Sequence, residues 1–309
     1  MKKKLLIVLV VVLVLIGLIS IGIPSVISAG ATVPVATTSG AASRLLYDVK
    51  EWKKWWPGER TGDTLFTYNQ NRFVIEKLTF NNLEVHITNP KVDLKGALII
   101  IPVTNDSLIL DWKYLIPASY NPIKKVMAYF EARKLSADLS LILNKIKQLL
   151  EDEMFVYGIR IHKEKVVDTL LISSKLAYNK YPDMKDAYTL IGKLEKLLAD
   201  QQIQPVNPPM LHIRKLDSAT YETQVAVPIL QWPVTDASTQ IKRMVLGNIL
   251  TTDVKGGPAS IRFAYQQMQQ YIIDHNMAQP AIPYESLITN RVQVTDTAKW
   301  LTKIYFPVY

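Results

Sequence analysis

The chain has 309 residues, of which 36 are Lys or Arg and 27 are Asp or Glu, so its net charge is +9, and it contains no cysteine. This length indicates about two domains of ordinary size, and a composition that is 49% hydrophobic and 20% charged excludes a disordered chain. The lack of cysteine excludes disulfides and thiolate metal sites, and no base-reading or phosphate-reading motif accompanies the positive charge, so we predict no nucleic-acid partner.

The first predicted element is a transmembrane helix. Leu5–Ile23 is an apolar run interrupted only by two glycines and a serine, and a helix needs roughly 20 such residues to cross about 30 Å of hydrocarbon. After Lys4 the next charged residue is Arg44, an asymmetry that favours a cytoplasmic N-terminus. We therefore predict an anchor over residues 1–24 and a single-pass protein of the bacterial inner (cytoplasmic) membrane, with its soluble domains extracytoplasmic.

Two other interpretations of this segment stay open. A cleaved signal peptide would need a cleavage site, and Ile27-Ser28-Ala29 has isoleucine where a small residue is wanted. A buried core helix would need a polar face, which the run lacks.

The next segment, residues 25–152, is predicted to form a strand, short helices, several antiparallel strands and one long helix. The small and β-branched residues of Ser25–Ala36 indicate the first strand, and a helix or a pair of short helices follows over Ala41–Trp56. Apolar residues at helical spacing predict a long helix from Asn121 to Leu149. Between the helices, strand character and turn residues predict four strands: Arg72–Phe80, Leu83–Thr88, Val92–Val103 and Ser107–Ile116.

The start of this segment carries a short tryptophan motif. Asp48, Trp52, Trp55 and Pro57 stand in the pattern D-x-x-x-W-x-x-W-x-P. With the order of elements, this motif resembles the START-like superfamily of polyketide cyclases and lipid-transfer proteins over residues 25–152. The resemblance implies a helix-grip fold with a cavity for a hydrophobic ligand and no fixed chemistry. Tryptophans at helical spacing also fit plain core packing, so both interpretations stay open.

The last half of the chain contains an internal repeat. Tyr221–Ile229 matches Trp300–Val308 in its aromatic, threonine, β-branched and proline positions. Ala187-Tyr188 and Ala264-Tyr265 are each expected to open a helix, and each helix is followed by a proline-bearing loop and two strands. Two βαββ units are the simplest account of this order.

Each final strand of the repeat has a more apolar face and a more polar face. Because side chains alternate along a strand, the apolar set is expected to cover the helices and the other set to line a groove between the two units. The apolar sets are Trp300, Thr302, Ile304 and Phe306 in one strand and Tyr221, Thr223, Val225 and Val227 in the other. The groove sets are Leu301, Lys303 and Tyr305, and Glu222, Gln224 and Ala226.

Three stretches carry a second resemblance: Gly256-Gly257-Pro258, Pro283-Tyr284-Glu285 and Asp296–Val308. They resemble the gyrase-inhibitor-like effector-binding domain over residues 153–309. The resemblance implies a groove between pseudo-symmetric halves that binds bulky, often cationic, aromatic compounds, with a buried glutamate that pairs with the ligand's charge.

This chain departs from that pattern at the glutamate position, which is Lys303. A lysine would repel a cationic ligand. Glu285 or Glu222 could supply a carboxylate from a neighbouring strand. Alternatively, Lys303 could select an anionic or neutral ligand, or it could pair with Glu285.

The sequence therefore predicts an α+β protein with an N-terminal transmembrane helix, a START-like domain and a duplicated effector-binding domain. We expect a non-catalytic sensor or carrier that binds a hydrophobic or aromatic small molecule at the membrane. No metal site is predicted, because the four histidines lack ligand spacing. No cofactor is predicted, since the sequence has no Gly-rich phosphate loop. The expected ligand contacts are aromatic stacking by Tyr188, Tyr221, Tyr265, Trp300 and Tyr305 and charge selection by Glu222, Glu285 and Lys303.

Two alternatives belong to other classes of protein. One is a hydrolase of electrophilic small molecules, in which Glu285 activates a water molecule. The other is a structural or interaction module whose grooves are filled by side chains.

Overall fold

We describe the protein from a computed structural model, in which contacts divide the chain into two compact units with a boundary between Val156 and Tyr157. Both units mix α and β structure, and each strand pair of the described residues is antiparallel. The expected α+β class is therefore confirmed. The residues described are 7, 10–12, 14, 16–18, 21–79, 82–167 and 170–309.

The predicted membrane anchor needs correction. Much of residues 1–24 lies outside the described residues. Within the part of the chain that the structure describes, no helix is both long enough and apolar enough to cross a bilayer, which requires roughly 20 predominantly apolar residues in one helix. This finding contradicts the predicted single-pass inner-membrane localisation with extracytoplasmic domains.

The first unit contains one seven-stranded sheet. Its strands are β1 (Val26–Val35), β2 (Glu59–Arg60), β3 (Leu65–Tyr68), β4 (Asn71–Leu78), β5 (Asn82–Asn89), β6 (Val92–Thr104) and β7 (Ser107–Pro117), in the sheet order β1-β7-β6-β5-β4-β3-β2. Its helices are α1 (Ser39–Tyr47), α2 (Val49–Trp55) and α3 (Pro122–Leu150), and the short helix α4 (Glu153–Tyr157) ends on the first residue of the second unit. These bounds confirm the first predicted strand, the pair of short helices, the four later strands and the long helix, whereas β2 and β3 were not predicted.

Side-chain caps set the starts of these helices. The Thr38 hydroxyl accepts a hydrogen bond from the Ala41 amide at 3.2 Å, and the Asp48 carboxylate accepts one from the Lys50 amide at 2.9 Å. Asp48 therefore separates α1 from α2, because its own extended backbone ends one helix while its side chain caps the next.

The tryptophans of the first unit form its core. Trp52 and Trp55 are at most 2% exposed, and their rings lie 4.6 Å apart. The indole nitrogen of Trp52 donates to the Leu46 carbonyl at 2.8 Å, which satisfies its buried polar group. Phe66 and Trp112 pack against the same rings at 5.3 and 6.2 Å from Trp52. Core packing is thus the interpretation that fits these side chains, rather than a ligand cage.

The second unit contains one eight-stranded sheet in the order β12-β9-β11-β10-β14-β15-β13-β8. Its helices are α5 (Met184–Asp200) and α6 (Pro258–Asp274), and a short 3-10 turn covers Thr297–Lys299. Its strands are β8 (His162–Lys165), β9 (Leu170–Tyr178), β10 (Met210–Lys215), β11 (Tyr221–Pro228), β12 (Gln240–Arg243), β13 (Asn248–Lys255), β14 (Tyr284–Ser286) and β15 (Leu301–Val308).

The strand order of this sheet is symmetrical about the β10–β14 pair. Outward from that pair, one half has β10, β11, β9 and β12, and the other has β14, β15, β13 and β8. In chain order each half is a strand, a 17-residue helix and two strands. The short strand before each copy pairs with the first long strand of the other copy, since β8 pairs with β13 and β12 with β9.

The two helices start earlier than the sequence indicates. A capping box at Asp183 begins α5 at Met184, and a proline in the first turn begins α6 at Pro258. Tyr188 and Tyr265 therefore lie inside their helices and not at the starts, because the capping residues outrank the apolar pattern in setting a helix end.

Candidate functional site

The two faces of the eight-stranded sheet have different roles. On one face, Val225 and Val227 of β11 pack with the leucines of α5, and Phe306 of β15 contacts the Tyr265 ring of α6 at 5.4 Å. This face carries the helices. The opposite face holds a separate apolar cluster that includes Met210, Ala226, Ile249 and Tyr284.

A cavity of about 330 Å³ opens on the face without helices. Both copies contribute to it: β10 and β11 come from the first, and Tyr284 and Pro307 from the second. Gln224 and Ala226, which alternation places on the groove face, do line it. The volume lies at the lower end of the range of ligand sites, which runs from roughly 300 to 1,000 Å³.

The cavity lining is mainly aliphatic and aromatic, with a few polar side chains. Further apolar lining residues are Val166, Leu171, Met244, Leu246, Ile282 and Val308. The polar ones include His212, Gln224, Lys242 and Asn248. A mostly apolar surface with a few placed polar groups is typical of a small-molecule site.

His212 is fixed in orientation beside the cavity. Its Nδ1 lies 2.7 Å from the Pro283 carbonyl oxygen. Because a carbonyl can only accept, Nδ1 carries the proton and donates it. Burial lowers the pKa of His212 by more than the hydrogen bond to Pro283 raises it, so the neutral ring is favoured.

The predicted groove residues Tyr305 and Lys303 lie on the cavity face, but neither is a lining residue. The Tyr305 ring stacks on Tyr284 with centroids 4.8 Å apart and an interplanar angle of 9°, and Tyr284 lines the cavity. Tyr305 thus packs against a lining residue from the neighbouring strand without lining the cavity itself. The Lys303 ammonium binds Glu164 at 3.0 Å, not Glu285. Burial lowers the pKa of Lys303, but the hydrogen bond to Glu164 and the charges of the neighbouring acidic groups together raise it by more.

Glu222 also lies on the cavity face, but two cations hold it. Arg214 Nη2 lies 2.7 Å and Lys175 Nζ 3.2 Å from its carboxylate oxygens. Burial raises the pKa of Glu222, but the hydrogen bonds from Lys175 and Arg214 and the charges of these two cations together lower it by more. Glu222 is not among the lining residues of the cavity.

Glu285 lies on the helix-covered face, bound to Arg291. The Arg291 side chain is 2% exposed, and its Nη2 donates to Glu285 at 2.5 Å and to the Thr302 hydroxyl at 2.7 Å. The guanidinium carbon lies 5.0 Å from the centre of the Trp300 ring. The Tyr188 hydroxyl accepts from the Arg291 amide at 3.0 Å. Three predicted ligand contacts, Tyr188, Glu285 and Trp300, therefore surround a buried arginine instead of the cavity.

The remaining predicted residues also lie away from the cavity lining. Burial raises the pKa of Tyr265 well above its usual value, and nearby Glu285 raises it further. Tyr221 contacts the Tyr181 ring at 5.4 Å, and Lys215 lies 5.8 Å from its centroid. Tyr221 lies on the face opposite the cavity because side chains alternate along β11. Tyr265 packs on that same face, through its contact with Phe306.

The sequence interpretation missed Arg291, His212 and Lys242. Arg291 is in a loop between β14 and β15, and Lys242 is in the four-residue strand β12. The loop around Arg291 forms no helix or strand, and β12 has only four residues, so a search for helical or strand periodicity finds neither residue. The sequence indicates β12 only through the repeat: β12 stands just before the second copy, as β8 stands just before the first.

Among the residues that the structure describes, no group of three or more acidic or histidine side chains could hold a metal ion. The arrangement therefore shows an apolar cavity with basic and amide groups at its wall, and a separate buried ion pair on the other face.

No protein-family model and no curated protein match the chain. Among solved structures, the chain is similar to the C-terminal domain of EcmrR, with 16% identity and a TM-score of 0.42 over 49% of this chain and 98% of that one. It is also similar to SAV2435 bound to tetraphenylphosphonium, with 17% identity and a TM-score of 0.33 over 49% of this chain and 94% of that one. A hydrolase from Listeria innocua shows 11% identity and a TM-score of 0.36 over 48% and 91% of the two chains. At these values the likeness assigns neither a ligand nor an activity to this chain.

Proposed function

We propose that the second unit is a non-catalytic binding module that holds a hydrophobic or aromatic small molecule in the cavity of its helix-free sheet face. The observation that carries this proposal is the cavity of about 330 Å³, lined mainly by apolar side chains from both copies of the repeat. On the helix-covered face, the first copy packs α5 closely against β9, β10 and β11, whereas the other face leaves room for a ligand.

We also propose that this unit has a gyrase-inhibitor-like effector-binding fold over residues 153–309. The symmetrical strand order and the sequence resemblance at Asp296–Val308 support this assignment. For residues 25–152 we propose a START-like helix-grip fold, supported by the sheet of β1 to β7, the long helix α3 and the tryptophan motif. The aromatic core of that unit makes the second unit the better candidate for ligand binding.

A hydrolase that uses Glu285 is less well supported. Its carboxylate binds Arg291 and lies on the helix-covered face, where it is not a lining residue of the cavity. A general base must reach the proton that it abstracts, either directly or through one water molecule. The geometry of Glu285 therefore favours a structural role.

The proposal is tested by blocking the cavity. Ala226 lines it and is 6% exposed, so the indole of Ala226→Trp would occupy ligand space. We expect the variant to weaken binding of a neutral fluorescent probe, N-phenylnaphthylamine, by at least about tenfold, which corresponds to about 1.4 kcal/mol. Binding is measured by the rise in probe fluorescence on titration with protein.

Ala199→Trp is the matched control, because Ala199 is exposed on α5 and the same indole would there face solvent. Overpacking at Ala226 costs about 1–3 kcal/mol, so thermal unfolding must show that the variant is folded. If it is not, Gln224→Trp at the partly exposed part of the lining replaces it. Equal probe binding by the wild type and the folded blocking variants would refute the proposal.

A further inference from the structure

The charged side chains that line the cavity are basic. Lys242 and Arg243 line it, and among the described residues of the lining there is no Asp or Glu. Coulomb attraction between a cation and an anion strengthens as water is excluded around them. The lining therefore favours a negative group over a positive one.

Strand register directs the Lys242 side chain toward the cavity. Lys242 of β12 lies opposite Leu171 of β9, and paired residues of an antiparallel ladder project to the same face. Leu171 belongs to the apolar cluster of the cavity face, together with Ala226. Lys242 thus projects from the same face as the apolar lining.

The ammonium of Lys242 is available for a ligand. The charge of Glu222 raises the pKa of Lys242, but the Glu222 carboxylate already binds Arg214 at 2.7 Å and Lys175 at 3.2 Å. Within the part of the chain that the structure describes, Lys242 makes no hydrogen bond or ion pair through its side chain. Arg243 is engaged differently, since its guanidinium lies 5.1 Å from the centre of the Trp232 ring.

An unpaired, partly buried ammonium is energetically unfavourable. Burial lowers the pKa of Lys242, and the nearby cation Lys175 lowers it further. A carboxylate placed against this ammonium would supply the missing partner and a charge-assisted hydrogen bond. The same position would repel a cationic ligand.

We propose that the cavity selects amphipathic carboxylates, whose apolar part fills the aliphatic lining while Lys242 binds the carboxylate. This inference rests on the proposed function, because it names the ligand class of the same cavity. Lys242 lies on β12, next to the first copy of the repeat, and Lys303 does not take this role because Glu164 occupies it.

The test compares three ligands with the same alkyl chain and different head groups: decanoate, decanol and decyltrimethylammonium. Each displaces N-phenylnaphthylamine from the full chain at neutral pH. We expect decanoate to act at a concentration about tenfold lower than decanol, since a hydrogen bond to a charged group is stronger than one between neutral groups. Decyltrimethylammonium should be the weakest of the three.

Two variants assign this preference to Lys242. Lys242→Met keeps most of the aliphatic stem and should bind decanoate and decanol equally. Lys242→Arg should keep the preference. Lys193→Met, at an exposed position of α5, is the matched control and should behave as the wild type.

The outcomes separate this inference from the proposed function. If the neutral probe binds and Ala226→Trp blocks it, but decanoate and decanol compete equally, the cavity binds ligands and the carboxylate inference is wrong. A preference for decanoate that persists in Lys242→Met also overturns it. If the probe does not bind the wild type, the proposed function fails and the inference fails with it.

Discussion

A single buried ion pair on the helix-covered face is the residue-scale feature that the sequence interpretation did not foresee. Arg291 holds Glu285 at 2.5 Å, and the two side chains are 2% and 15% exposed. Arg291 also donates to Thr302 and lies over Trp300. Glu285, expected to select a ligand or activate water, is instead one half of a structural pair.

Removal of one partner of this pair should lower the free energy of unfolding. Arg291→Met leaves the Glu285 carboxylate buried without its cation, and we expect a loss of about 3–5 kcal/mol in the free energy of unfolding. The double variant Arg291→Met, Glu285→Leu should lose less than the single one, because no buried charge is left unpaired. Chemical denaturation with unchanged m-values would measure both.

The exposed pair Lys196–Asp200 provides the control. Its side chains are 77% and 65% exposed at a distance of 3.0 Å, and Lys196→Met should change stability by only about 0–0.5 kcal/mol. A loss for Arg291→Met no larger than that of Lys196→Met would show that the buried pair does not stabilise the unit.

At the scale of elements, the two helices of the repeat end in the same way. Gln202 after α5 and Asn276 after α6 have positive φ values of 58° and 52°. The next amide bonds back to a carbonyl five residues earlier in each case, Ile203 to Leu198 at 2.9 Å and Met277 to Ile272 at 3.0 Å. This is the Schellman arrangement, which favours glycine at the left-handed residue.

The two ends should respond differently to glycine. Gln202→Gly relieves left-handed strain of about 1–2 kcal/mol and loses about 0.5–1 kcal/mol through the freer unfolded chain, so we expect a net gain of about 0–1.5 kcal/mol. Asn276→Gly should gain less, because asparagine tolerates this conformation. Thermal unfolding of both variants tests the comparison, and an equal or larger gain at Asn276 would contradict it.

At the scale of the whole molecule, the chain forms two compact units with a boundary between Val156 and Tyr157. The cavity is lined by residues from Val166 to Tyr309, all of the second unit. Within that unit, the Tyr157 hydroxyl donates to Asp274 at 2.8 Å and its ring contacts Tyr271 at 5.2 Å. The start of the second unit is thus held to α6.

We expect a fragment of residues 153–309 to fold without the first unit and to bind N-phenylnaphthylamine with an affinity within about twofold of the full chain, since its core and cavity are complete. Circular dichroism during heating should show one cooperative transition. A fragment that melts without a cooperative transition, or that folds but does not bind a probe that the full chain binds, would contradict this independence.

Local patterns determined much of this protein. Alternation in Tyr221–Ile229 and Trp300–Val308 separated the helix-covered face from the cavity face, because side chains on a strand project to opposite sides. Helical spacing located α3, and the internal match indicated two copies of one unit. Alternation and helical spacing depend on residues close together in the sequence, and the internal match compares two short segments of the same chain, so the sequence alone is enough to find them.

Only the tertiary structure decided which charges meet and which residues surround the cavity. Glu285 pairs with Arg291, Lys303 with Glu164, and Lys242 reaches the cavity through β12, which pairs with β9 of the other copy. The partners Lys303 and Glu164 are 139 residues apart. Strand order and register bring such groups together, and no local periodicity encodes that order, because it results from how the two copies pair across one sheet.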